Sequence, residues 1–252
     1  MTLKEEMLYI EENLPQAWEH INKLLHKAKI DMTATLPKFD DDDEMVEKKT
    51  WYEVDEMKVI DLSAWQTYVP WGLLISEGVE GVILKIGEHG NLDDMFVEHV
   101  NNAVEYGLKY GVYYYGHAAN YDEAAAEADQ VADWIAEYLR GETPELGIWY
   151  DAESPRMLSG GDVTANCMTF LNRLTEHGHQ YNGIYASWNW LSKEGAHYIH
   201  IDELPYYVPI WVAQYSRHCD LKDEYPDRVR IWQYTDHYSD KMPYDANIYF
   251  IE

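Results

Sequence analysis

Apolar and polar positions change their period at about residue 57. Before it, Leu3, Met7, Ile10, Leu14, Trp18, Ile21 and Leu25 recur at spacings of three and four, one apolar stripe along a helix. Pro15 interrupts the stripe and predicts a break or two shorter helices. The run Asp40 to Glu44, five acids in succession, reads as a solvated linker. From Met57 onward short apolar runs alternate with longer helical ones. The expected strands are residues 58–64, 81–87, 110–118, 146–153, 181–187, 209–215, 228–235 and 246–251. Helices are expected at 94–109 and 162–177, the second ended by Gly178 where a left-handed residue is favoured. Between them Ala124, Ala128, Val131, Ile135 and Leu139 form a further stripe, with Asn120 and Glu123 spaced as a capping box.

Strands alternating with helices predict a parallel sheet, and eight of them in roughly 195 residues predict closure into a β/α barrel. The last three strands are joined by segments too short or too polar for full helices. The expected architecture is therefore a modified, irregular TIM-like α/β barrel over 58–252, preceded by a helical extension and acidic linker over 1–57. The extension has two open readings: a helix packed on the main domain, or an adaptor that docks on a protein partner or self-associates. The chain ends within its last strand, so no wall-binding domain is expected to follow.

Composition adds a skew in aromatics: 10 Trp and 22 Tyr against 4 Phe. Rings with a polar edge suit a wet groove, the kind of surface that sugars use. The net charge of −27 and the lack of a basic patch argue against nucleic acid as a partner. Cys167 and Cys219 are the only cysteines, so no disulfide framework is implied, and Cys167 is expected to be a small buried residue of a helix. No apolar run is long enough for a membrane span, and the acidic start MTLKEEMLYIEENL does not read as a signal peptide. His177, His179, His197 and His200 lack metal-ligand spacing, and no metal or cofactor is expected.

Candidate chemistry gathers where strands end. In Ile148-Trp149-Tyr150-Asp151-Ala152-Glu153, alternation puts Trp149, Asp151 and Glu153 on one face, successive members roughly 6.6–6.8 Å apart. Two acids at a strand's C-terminal end lie where barrels build active sites, and like charges that close raise at least one pKa. Asp61 ends the first strand. Trp211, Gln214 and Tyr215, then Trp232, Gln233 and Tyr234, close later ones, and Asp245 and Asn247 edge the last. Acids, amides and rings delivered by several strand ends describe a carbohydrate cleft with acid catalysis.

These motifs, in this order, resemble family 25 of the glycoside hydrolases, the lysozymes on a modified β/α barrel. The resemblance is carried by D-x-S-x-x-Q at Asp61, Ser63 and Gln66, D-x-E at Asp151 and Glu153, and G-I-Y-A-S at 183–187. It continues through W-V-A-Q-Y at 211–215, I-W-Q-Y at 231–234 and D-x-N at Asp245 and Asn247. It covers roughly 57–252 and leaves 1–57 outside. Gly87 before Glu88 and His89, and the stretch Tyr113 to His117, depart from the family pattern. The resemblance implies an N-acetylmuramidase that hydrolyses β-1,4 bonds between N-acetylmuramic acid and N-acetylglucosamine in bacterial peptidoglycan. It implies Glu153 as general acid, with either a carboxylate as the nucleophile or the substrate's own 2-acetamido oxygen in that role, oriented and stabilised by Asp151. Asp61 and Asp245 are then supporting acids, and Tyr115, Tyr185, Trp211, Gln214, Gln233 and Asn247 shape the sugar site. A phage-type lysin acting at the cell wall, held in the host cytoplasm until release or carried by a virion, fits the missing signal peptide. Non-catalytic glycan binding and a structural virion role on the same barrel are the alternatives.

Overall fold

The computed structural model describes residues 56–239 and 242–251, so the expected N-terminal helix and acidic linker lie outside the described residues. The strands are β1 (Glu56–Leu62), β2 (Gly81–Glu88), β3 (Asn91–Leu92), β4 (Lys109–Tyr115), β5 (Ile148–Asp151), β6 (Asn182–Ser187), β7 (Ile210–Ala213), β8 (Val229–Thr235) and β9 (Asp245–Phe250). The helices are α1 (Trp71–Ser76), α2 (Phe96–Glu105), α3 (Tyr121–Tyr138), α4 (Val163–Glu176), α5 (Trp188–Leu191) and α6 (Asp220–Glu224). Among the described residues no helix is long and apolar enough to cross a membrane.

Eight strands close in the order β1-β9-β8-β7-β6-β5-β4-β2, with β1 pairing β2 and the two-residue β3 hairpinned onto β2. Pairings from β1 through β2, β4, β5, β6, β7 to β8 are parallel. The expected all-parallel sheet fails at one strand: β9 runs antiparallel to both β8 and β1. The reason is the short connection. Only residues 236–244 separate β8 from β9, too few for a helical crossover, so the chain turns back as a hairpin. The long helices expected from the apolar stripes are α2, α3 and α4, and after β6 the connections carry only short helices of four and five residues.

Two buried layers follow from strand alternation. Met57, Val59, Ile83, Leu146, Trp149, Trp211, Ile231 and Tyr249 fill the barrel's interior. Ile60, Leu84, Val112, Tyr150, Ile184 and Val212 face outward and pack beneath the helices with Val131, Ile135, Phe170 and Leu174. Cys167 is buried in α4, and Gly178 ends that helix at φ +96°. The cap of α3 differs from the expected box in one contact. Asn120 Oδ1 accepts from Glu123 N at 3.0 Å, but the Glu123 carboxylate accepts from Ala119 N at 2.8 Å, not from the cap residue's own N–H.

Gly116 is the step where β4 leaves the sheet, and its missing side chain admits Tyr150. A Cβ there would stand 2.4 Å from Tyr150 Cε2 and Cζ. Tyr150 cannot retreat: it stacks on Phe170 at 4.0 Å, and its hydroxyl donates to Glu127 Oε2 at 2.6 Å. Gly116→Ala is expected to destabilise the barrel by about 1–3 kcal/mol, the usual cost of overpacking a filled core. Urea unfolding of the two proteins measures it, and equal midpoints would show that Tyr150 has room to move.

Candidate active site

Asp61 stands at the centre of a buried polar cluster near the C-terminal end of the barrel. It faces inward from β1 and is in register with Asp245 on β9. Its Oδ2 accepts from Gln233 Nε2 of β8 at 2.9 Å and from Asn247 Nδ2 of β9 at 2.8 Å. Both amides are held from behind. Gln233 Oε1 accepts from the hydroxyls of Tyr185 and Tyr215, each at 3.1 Å. Asn247 Oδ1 accepts from Trp211 Nε1 at 2.8 Å. Each amide therefore has its nitrogen aimed at the carboxylate, an orientation fixed by the donors that its oxygen accepts from.

The other acids rise from β5. Asp151 is the last residue of that strand and is buried; Glu153 lies just past it and is half-buried. Glu153 Oε1 accepts from Ser187 N at the end of β6, 2.9 Å away. Tyr113, Tyr185, Trp149 and Trp211 form the apolar bed between the two groups. Trp211 lies 4.4 Å from Tyr185, 6.1 Å from Tyr113 and 6.0 Å from Trp149, ring centre to ring centre.

Of the expected sugar-site residues, Tyr185, Trp211, Gln233 and Asn247 thus converge with Asp61 and Asp245, and Tyr115 stands near Asp151 and Glu153. Gln214 is not brought in. Its amide donates to Asp220 Oδ2 at 2.6 Å and its carbonyl oxygen accepts from Asp220 N at 3.0 Å, so it fastens the start of α6. Position parity explains this: Trp211 and Ala213 face the interior, and Gln214 falls on the opposite side. Ser63 and Gln66 of the first motif serve the loop itself, where Ser63 N donates to Gln66 Oε1 at 2.9 Å and Gln66 N to Ser63 O at 3.0 Å. That loop presents Trp65 and Tyr68, 88% and 79% exposed.

Two residues that sequence reasoning passed over belong to the cluster. Tyr113 shares the inward face of β4 with Tyr115 and feels the charges of Asp61 and Asp151. Lys85 is the one cation in the buried strand GVILKIG; its charge acts on Asp151, and it pairs with Glu88 at 3.2 Å. A lone lysine amid buried apolar positions was the available signal, since a charge there must have a partner.

Burial sets the protonation of these acids. Asp151 is pushed well above the usual carboxylate range, first by desolvation and then by the charge of Glu153, with Lys85 opposing. Its Oδ1 is enclosed and accepts no hydrogen bond, which leaves the anion undersolvated. Asp61 is raised to about 7 by burial and by the Asp245 charge, against the two amide hydrogen bonds that lower it. Asp245 is raised as well, by burial. Two carboxyls facing each other this way share a proton. Among the described residues no group of three or more His, Cys, Asp or Glu is placed to hold a metal ion.

The sign of the linkage is definite. Asp61 holds its proton more tightly folded than unfolded, so it contributes stability that is full below its ordinary value of 3.8 and is lost as pH rises through about 7. Asp61→Asn keeps an acceptor for Gln233 and Asn247 and does not titrate. The wild type is expected to lose a few kcal/mol relative to this variant between about pH 4 and pH 8, because each tenfold difference in proton affinity between the folded and unfolded chain is worth about 1.4 kcal/mol. Urea unfolding of both proteins across that range reads the difference; a gap that does not change with pH would mean that Asp61 is ionised throughout.

Comparison with known proteins accords with this geometry. The family model described as Glycosyl hydrolases family 25 matches residues 60–242. No match to a curated protein sequence was found. The modular autolysin LytC from Streptococcus pneumoniae, solved with a synthetic peptidoglycan ligand, is similar at 22% identity and TM-score 0.65, over 77% of this chain and 47% of its own. This chain therefore spans about half the length of that autolysin. The catalytic domain of endolysin ply40 from bacteriophage P40 of Listeria monocytogenes is similar at 21% identity and TM-score 0.64, over 79% of this chain and 94% of that domain. A muramidase from Trichobolus zukalii is similar at 22% identity and TM-score 0.61, covering 78% of this chain and 94% of its own. The structural likenesses establish the barrel. The family match extends across it from the first strand to the last hairpin, and on that match the chain belongs to the family 25 glycosyl hydrolases.

Proposed function

We propose that this chain is an N-acetylmuramidase, a lysozyme that hydrolyses the β-1,4 bond between N-acetylmuramic acid and N-acetylglucosamine in bacterial peptidoglycan. The observation that carries the reading is the division of the acids. Asp151 and Glu153 rise from one strand, one buried with an unpartnered oxygen and one at the rim. Asp61 and Asp245 face each other across the β1–β9 seam. The muramidase from Trichobolus zukalii and a pneumococcal autolysin bound to a peptidoglycan ligand share the fold and support the substrate class. The likeness to a Listeria phage endolysin supports a phage-type lysin acting at the cell wall.

The chemistry follows from charge placement. Burial, with the charge of Glu153, holds the Asp151 proton well above the usual carboxylate range. An acetamido N–H arriving against Asp151 favours its anion, as the Lys85 charge does, and this leaves the proton on Glu153. Glu153 protonates the glycosidic oxygen as the C1–O bond breaks. The acetamido carbonyl oxygen closes on C1, and Asp151 accepts the N–H that becomes more acidic as this happens. Water then attacks C1 as the bond between C1 and the acetamido oxygen breaks, and it gives a proton back to Glu153, so the acetamido group is restored and the anomeric configuration is retained. The hydrogen-bonded amides Gln233 and Asn247, with the Asp61–Asp245 pair behind them, hold the floor of the site in one arrangement. Trp65 offers an exposed apolar face to a sugar ring on the same end of the barrel.

Digestion of purified peptidoglycan, followed by reduction and mass spectrometry, tests the reading. Wild type is expected to release muropeptides with reducing-end muramic acid, and Glu153→Gln to be slower by roughly 10²- to 10⁴-fold, the usual worth of a general acid. Reducing-end glucosamine, or no products from several wall types, overturns it. Trp65→Ala is expected to raise KM roughly 2- to 10-fold with kcat little changed, the effect of losing about 0.5–1.5 kcal/mol of aromatic contact. Steady-state turbidity clearing measures this, and an unchanged KM would remove Trp65 from the sugar path.

A further inference from the structure

His117 lies three residues past Tyr114 on the strand-end loop of β4, and its imidazole is held by groups from four directions. Its Nδ1 pairs with Ser154 Oγ at 2.8 Å, and Ser154 is the residue after Glu153. Ser154 is buried and caps the short 3-10 helix Pro155–Ser159. The His117 ring meets Tyr115 edge-on at 4.7 Å and stacks on His89 at 3.3 Å. Its Nε2 is enclosed without a hydrogen bond and stands 3.8 Å from Glu88 Oε2. Glu88 in turn pairs with Lys85 at 3.2 Å, and Lys85 Nζ lies 5.5 Å over the Tyr115 ring. Lys85, Glu88, His117, Ser154 and Tyr115 therefore form a closed ring of contacts directly beside Asp151 and Glu153.

The backbone of the same residue is tied down as firmly. His117 N donates to Glu127 Oε1 at 2.9 Å. Its carbonyl oxygen accepts from Arg156 Nη1, and Arg156 grips Glu123 at 2.5 and 2.9 Å. The β4 loop and the β5 loop are thus joined through one residue. Fixing a backbone and a side chain at once leaves the imidazole little freedom, so Ser154 and the turn that carries Glu153 inherit its position.

We infer that His117 is a positioning residue for the muramidase reaction, setting Glu153 through Ser154 and holding Lys85 within reach of Asp151 through Glu88. The role rests on the muramidase reading of the site. The groups facing His117 are His89 of the β2–β3 turn, Glu88 of β2, Tyr115 of β4, Ser154 and Arg156 after β5, and Glu127 of α3. Burial and the charges of His89 and Arg156 disfavour charging the imidazole, and Glu88 opposes them.

The test compares wild type, His117→Ala, His117→Asn and Ser154→Ala as full chains. Asn can place an amide atom where Nδ1 stands and keep Ser154 in place. His117→Ala is expected to lower kcat on peptidoglycan roughly 10- to 100-fold with KM within about 2-fold, the scale of a small misplacement of a catalytic group. Ser154→Ala is expected to do the same from the other side, and His117→Asn to restore most of the loss. Carboxyl-carbon NMR of Glu153 across pH is read in parallel: its titration should shift in both Ala variants and return toward wild type in His117→Asn. Unchanged kcat in folded His117→Ala and Ser154→Ala, or an Asn variant as impaired as Ala in both readouts, overturns the positioning role. A wild type that releases no muropeptides overturns the muramidase reading instead, and the NMR comparison, which needs no substrate, still decides whether His117 governs Glu153.

Discussion

Everything at the catalytic end depends on burying one carboxylate, Asp61, inside a closed barrel. A buried acid needs donors and a reason to stay protonated, and both come from the strands that complete the closure. Gln233 from β8 and Asn247 from β9 reach the same oxygen, and Asp245 sits opposite on β9. Those amides are themselves oriented by Tyr185 of β6, Trp211 of β7 and Tyr215 just beyond it. One hydrogen-bonded assembly thus spans five strands. Were β9 parallel like the rest, its register with β1 would differ, and the Asp61–Asp245 pairing would be lost.

The wall across from that assembly works by the opposite device. Asp151 has an enclosed oxygen with no donor, and its burial pushes the acid well above the usual carboxylate range. The two carboxyl groups of one D-x-E step thereby receive different environments within two residues of strand advance. Asp151 is still within the ladder, between Tyr115 and Tyr185 in register, while Glu153 has left it and is anchored by Ser187 N. Different environments are what separate an acid that gives a proton from one that steadies a developing charge.

Much of this was legible in the chain. Eight apolar runs located all eight barrel strands, and period-two alternation correctly sorted Trp149 and Asp151 inward from Tyr150 outward. The direction of β9 was not legible, because a pattern of apolar positions carries no sign and only the length of the connection betrays a hairpin. Nor was Tyr113, whose importance comes from what stands opposite it across the barrel, while Lys85 was legible only as a charge in an apolar run, without its partners. Gln214 shows the converse error. It lies within the motif W-V-A-Q-Y, but a motif records neighbours along the chain, and beyond Ala213 its side chain meets the start of α6 first. Ser63 and Gln66 likewise matched a motif whose work here is to fold the loop that displays Trp65.

The formal charge of −27 counts every Asp and Glu as ionised. In the cleft that count is too large, because burial keeps protons on acids that a solvated surface would release. Asp151 is held well above the usual carboxylate range, and Asp61 is raised to about 7. Lys85 adds a positive charge at the same place. A substrate that carries negative charge along its length therefore meets repulsion over the surface and much less of it at the reacting bond. Salt screens the first and scarcely touches the second, since exposed charges lie in water and the cleft acids do not. On the proposed muramidase reading, the same burial that makes the proton available for chemistry thus also reduces the charge that would keep an anionic wall polymer away from it.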